Sequence, residues 1–101
     1  MTIHVEQEME YERNDWWNWS VWVEGDAAEL DCISSVVYTL HSTFANPVRT
    51  ITDRRTKFRL QSAGWGGFTI YAQVFDKEGS SRKLEHSLKL YYPGNNTPTD
   101  N

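Results

Sequence analysis

Trp16-Trp17-Asn18-Trp19-Ser20-Val21-Trp22-Val23-Glu24, closed by Gly25-Asp26, is the stretch that decides the fold. Its period of two puts Trp17, Trp19, Val21 and Val23 on one face and Trp16 and Trp22 on the other, the pattern of a strand rather than a helix. A ring-bearing outer face should be covered by another strand or a partner, because a large exposed apolar patch is unusual on a monomer. Upstream, Ile3, Val5, Gln7, Met9 and Tyr11 alternate with Thr2, His4, Glu6, Glu8 and Glu10. This predicts a half-buried strand over 2–11 with a charged outer face, and Asn14-Asp15 marks the connection between the two.

Downstream, Leu30, Ile33, Val36, Val37 and Leu40 fit helical spacing as well, but Val36-Val37-Tyr38-Thr39 is rich in strand formers. We expect a loop or short turn from Ala27 and then a strand from about Ser34 to Leu40. Asn46-Pro47 marks a loop, followed by a short strand over 48–52. Phe58 and Leu60, with Lys57, Arg59 and Gln61 pointing away, predict a strand leading into Gly64. Phe68, Ile70, Ala72 and Val74 form one face of the next strand, with Thr69, Tyr71, Gln73 and Phe75 on the other. A hairpin loop from Asp76 to Ser81, containing Gly79, leads to a last alternating set, Leu84, His86, Leu88, Leu90 and Tyr92. The expected architecture is all-β: an immunoglobulin-like antiparallel β-sandwich of about seven or eight strands. It would occupy residues 1–92, with 93–101 a disordered tail or linker.

A chain of 101 residues is one domain, and five Trp, five Tyr and four Phe supply much of its core. The single cysteine, Cys32, excludes an internal disulfide and reads as a packed thiol. His4, His41 and His86 show no metal-ligand spacing, so neither metal nor cofactor is expected. No apolar run reaches membrane-spanning length, and the first ten residues lack a signal-peptide core. These features predict no membrane partner and a cytoplasmic location, or a nuclear one in a eukaryote. The net charge of −4 is uneven: residues 1–31 hold nine acids and one base, the remainder five acids and nine bases. The acidic third could favour basic peptides. The run Arg49, Arg54, Arg55, Lys57 and Arg59 lacks a stacking platform and reads as a solvated loop rather than a nucleic-acid site.

Two turns carry the chemistry. Leu40-His41-Ser42-Thr43-Phe44 and Gly64-Trp65-Gly66-Gly67-Phe68 each bring a ring to a slim stretch of backbone with hydrogen-bonding groups beside it. Glycines on three sides of Trp65 allow positive φ and close approach to main-chain N–H groups. An acylated lysine entering between Phe44 and Trp65 presents a neutral, planar amide that can stack between rings, but its N–H and C=O need partners once dry. Thr43 Oγ can accept from that N–H, the N–H of Trp65 or Gly66 can donate to the carbonyl, and His41 can orient the hydroxyl. Unmodified lysine would be rejected, since its ammonium would lose water with no carboxylate supplied. Phe44 and Trp65 could instead be core rings, and a lone histidine at a strand end is usually only a satisfied polar group, as His4 and His86 are read here.

These motifs, with Pro47 between them, resemble the YEATS domain, an immunoglobulin-like reader of acetylated and crotonylated lysine. Trp19-Ser20-Val21-Trp22-Val23-Glu24-Gly25 is similar to the strand that precedes the first motif in that family, and Leu84 to Leu90 to its closing strand, so the resemblance spans about Trp16 to Leu90. It implies a non-enzymatic module whose acyl-lysine pocket is built by His41, Thr43, Phe44 and Trp65, with Gly64, Gly66, Gly67 and Phe68 completing the turn. Many members have serine at the position of Thr43, and tyrosine or tryptophan at that of Trp65. Histone-tail readers often add an aromatic in the loop before the second strand. Here that loop is Arg13-Asn14-Asp15-Trp16-Trp17, and which ring closes the pocket stays open. The Trp16-Trp17-Asn18-Trp19 run is closer to prokaryotic members, whose ligands need not be histones. The implied partner is an acylated-lysine peptide or protein, with fusion to or contact with other domains allowed. The competing readings are an immunoglobulin-like assembly module with a vestigial or repurposed pocket, a methyl-lysine cage, which lacks an acid in either motif, and an enzyme, for which no catalytic set can be assembled.

Overall fold

A computed structural model describes residues 3–94 and 98–99. The alternating segments become strands β1 (His4–Tyr11) and β2 (Trp17–Glu24), antiparallel in full register from His4↔Glu24 to Tyr11↔Trp17. A short helix, α1 (Ala27–Asp31), leads to β3 (Ile33–Thr39), followed by β4 (Val48–Ile51), β5 (Leu60–Gly64), β6 (Phe68–Asp76), β7 (Ser81–Leu88), β8 (Leu90–Tyr91) and β9 (Pro98–Thr99). One sheet is ordered β1-β2-β5, the other β4-β3-β6-β7, and β8 pairs with β9. The result is an immunoglobulin-like antiparallel sandwich.

The core lies where the alternation puts it. Trp17, Trp19, Val21 and Val23 of β2 meet Val36, Tyr38, Ile70, Ala72 and Val74 of the opposite sheet, all buried. On the outer face the two remaining rings part company. Trp22 is covered: the Arg59 guanidinium lies 4.9 Å from its ring centroid, and its Nε1 donates to Glu24 Oε1 at 3.2 Å. Trp16 stays 43 % exposed.

Four sequence readings are corrected. The segment from Ala27 contains a helical turn, because Leu30 folds inward to 1 % exposure before β3 begins. Phe58 does not start a strand. Arg54–Thr56 form a turn of 3-10 helix, and Lys57 and Phe58 follow in the left-handed region, with φ of 57° and 58°. That conformation is held by partners: Phe58 N–H donates to Asp53 O at 3.0 Å, and Tyr38 Oη donates to Phe58 O at 2.6 Å. Cys32 is exposed rather than packed, because it precedes the inward-pointing Ile33. The final alternating set is also broken at Lys89. There the Gln7 amide donates to Lys89 O at 2.7 Å and its oxygen accepts from Lys89 N–H at 3.1 Å, drawing the chain off β7 and onto the edge of β1.

In the segment expected as a tail, Pro98–Thr99 pair with Leu90–Tyr91, while 95–97 and 100–101 lie outside the described residues. No helix among the described residues is long and apolar enough to cross a membrane.

Candidate functional site

The loop between β3 and β4 carries the first motif, and hydrogen bonds shape it. Leu40 N–H donates to Pro47 O at 2.7 Å, closing the loop, and Phe44 N–H donates to His41 O at 3.0 Å, forming a turn inside it. Arg49, read from sequence as part of a solvated run, clamps the same loop: its Nε donates to Asn46 O at 2.7 Å and its Nη2 to Ala45 O at 3.0 Å.

Within the turn, His41 Nδ1 accepts from Thr43 N–H at 3.3 Å and faces Thr43 Oγ at 2.9 Å. A ring nitrogen that accepts from a backbone N–H offers its lone pair there, so the neutral imidazole carries its proton on Nε2. The hydroxyl proton then points to Nδ1, and the Oγ lone pairs remain for another donor.

Phe44 is half-buried in a cluster of edge-on and tilted rings, 6.2 Å from Trp19 and 5.3 Å from Phe68, with His41 6.2 Å from Phe68. The Trp19 Nε1–H is buried with no hydrogen-bond partner among the described residues, so packing rather than hydrogen bonding holds this cluster together.

Gly64 explains why Phe44 can lie there. It pairs with Trp17 and so faces inward, and a Cβ on it would sit 3.6 Å from Phe44 Cζ and 3.8 Å from Trp19 Nε1. Anything longer than alanine would displace the ring. The left-handed freedom expected of the glycines around Trp65 is not used: the positive-φ glycines among the described residues are Gly79 and Gly94. What the second motif requires is slimness, with Gly64, Gly66 and Gly67 buried while Trp65 projects, 53 % exposed.

The two turns meet at a cavity of about 230 Å³ that Thr43, Phe44, Gly64, Trp65, Gly66 and Phe68 help to line. His41 and Gly67 lie outside it. They line an adjacent hollow with Phe68, which leaves His41 behind Thr43 rather than in front of it. Phe44 and Trp65 share the cavity without a ring–ring contact, and Trp65 contacts no other ring among the described residues.

Trp16, which the alternation only grouped with Trp22 on the outer face, also lines this cavity. Its loop is pinned by Tyr11, Trp17 and Tyr92, whose ring centroids lie 5.0–5.5 Å apart. Tyr92 Oη donates to Asp15 Oδ1 at 2.5 Å, which raises the phenol's pKa, and Glu12 N–H donates to Trp16 O at 2.8 Å. Asn14 and Asp15 take left-handed φ values of 57° and 60° in the same loop. The Asn14-Asp15 punctuation is the signal that a tight turn would throw the next ring outward.

Comparison with known proteins identifies the family and the fold. The profile of the prokaryotic YEATS domain matches residues 17–89. The chain is 35 % identical over 85 residues to the protein AF-9 homolog of Saccharomyces cerevisiae, covering 79 % of this chain and 37 % of that protein. It is 39 % identical over 74 residues to the Yarrowia lipolytica homolog, covering 69 % and 36 %. It thus spans about a third of the length of these relatives. Among solved structures, the Yaf9 YEATS domain recognising an H3K122suc peptide superimposes with a TM-score of 0.73 at 29 % identity, over 87 % of this chain and 70 % of that one. The same domain bound to H3K27ac gives 0.69 at 26 %, over 89 % and 71 %. With the profile covering well over half its length, this chain belongs to the prokaryotic YEATS domain family.

Proposed function

We propose that the protein is a non-enzymatic reader that binds an acylated lysine of a partner protein in the slot between Phe44, Trp65 and Trp16. The observation that carries this reading is the convergence of the two aromatic turns on one open cavity, with the Thr43 hydroxyl oriented by His41 at its wall. The Oγ lone pairs accept the ligand amide N–H. The N–H of Trp65 or Gly66, neither of which has a partner among the described residues, donates to the acyl carbonyl. The structural relatives bound to acylated histone peptides support the reading, and the partner here is defined only by its acyl-lysine.

Two ring contacts at about 0.5–1.5 kcal/mol each and two hydrogen bonds at about 1 kcal/mol each act against the ordering cost of association. A Kd between about 1 μM and 1 mM follows. Flat unsaturated acyl groups, such as crotonyl, should bind more tightly than acetyl by adding a second stacking plane. The test is calorimetric titration with acetylated, crotonylated and unmodified versions of one peptide. The reading requires binding of the first two and not the third, and loss of binding in a folded Trp65→Ala variant. Equal affinity for the unmodified peptide would refute it.

A further inference from the structure

The outer face of the β1-β2-β5 sheet carries a second cavity, of about 390 Å³, walled by Glu8, Glu10, Asn18, Arg59 and Gln61, with Ser20 at its floor. Ser20 is only 3 % exposed and lies between Glu8 and Gln61 in the ladder. Its hydroxyl has no partner among the described residues and opens onto the cavity, where it can bond a ligand atom or water. The other lining groups also present acceptors. Glu10 has no partner among the described residues, and Asn18 gives its Nδ2–H to Glu12 and so keeps Oδ1 available. The one base in the lining, Arg59, is already bonded to Glu8 and stacked on Trp22.

The trough adjoins the aromatic slot. Ala63, which lines the slot, pairs with Asn18, and Asn18 pairs with Glu10. Two strand spacings put Glu10 about 10 Å from the slot's rim, and an extended peptide advances about 3.3 Å per residue. We propose that this trough seats a lysine or arginine two to four positions from the acylated lysine of the same peptide. This rests on the acyl-lysine reading of the slot. The two sites would then demand opposite states of a basic side chain: neutralised in the slot, charged in the trough.

The experiment compares two crotonyl-lysine peptides that differ only in arginine or glutamine three positions from the modified residue. They are titrated at low salt against the wild type, Glu10→Gln, Ser20→Ala and, as a charge control far from the trough, Glu78→Gln. The wild type should prefer the arginine peptide about three- to fivefold. The preference should disappear in Glu10→Gln, shrink in Ser20→Ala, and survive in Glu78→Gln, while affinity for the glutamine peptide stays constant throughout. Equal binding of both peptides by the wild type overturns the trough and leaves the slot standing. An equal loss of preference in Glu78→Gln also overturns it, since the protein's overall charge would then be responsible. Failure to bind either peptide overturns the slot and the trough together.

Discussion

Thr43 and His41 form the smallest unit that can be tested separately. Thr43→Val keeps the side-chain shape and deletes the acceptor, so it should weaken acyl-peptide binding about fivefold, the worth of one hydrogen bond. His41→Ala should do the same without touching the ligand, since the hydroxyl loses the acceptor at 2.9 Å that fixes its proton. Unchanged affinity in both variants, measured by calorimetry, would remove this pair from the site. Away from the slot, Tyr38 is fully buried, which pushes its phenol pKa up, and it donates to Phe58 O at 2.6 Å. Tyr38→Phe should cost about 1–3 kcal/mol in urea unfolding, because it strands a buried carbonyl. The spacing in His41-Ser42-Thr43 made a contact between the first and third residues readable from sequence. Phe58 was not readable, because its left-handed φ depends on Tyr38, twenty positions away in the chain.

Among the elements, the loop between β3 and β4 is stiffened by Arg49 through Ala45 O and Asn46 O. Arg49→Ala should leave the fold intact, speed hydrogen exchange at the Phe44 N–H, and weaken binding because the Thr43–Phe44 turn is no longer held in advance. Unaltered exchange at Phe44 would show that the clamp is idle. The strands themselves were legible because one face of each is buried, so alternation reported burial directly at Trp17, Trp19, Val21 and Val23. The break at Lys89 was not, since it is made by the Gln7 side chain reaching across from β1. Nor was the role of the glycines around Trp65. Sequence marks where a side chain is missing, but only the fold shows that Gly64 makes room for Phe44 and needs no unusual φ.

For the molecule as a whole, the seam between β1 and β7 contains His86, whose Nε2 bonds to Gln7 Oε1 at 2.7 Å. Burial lowers its pKa, the nearby His4 adds to the shift, and the Glu6 charge opposes it. The unfolded chain takes up this proton near pH 6.5, the folded one only at lower pH. Its contribution to stability is therefore complete above about pH 6.5 and is lost as pH falls through the lowered folded-state value. The urea midpoint should drop between about pH 7 and pH 5, and His86→Gln should flatten that slope; an identical slope in the variant would contradict the assignment.

The shared slot is most directly tested by the five tryptophan indole N–H signals in a two-dimensional NMR titration with a neutral-flanked crotonyl-lysine peptide. Trp65 and Trp16 should shift progressively. Trp17, bonded to Tyr91 O, and Trp22, bonded to Glu24, should stay in place. Silence at Trp65 with millimolar peptide, or shifts confined to Trp17 and Trp22, would contradict the slot.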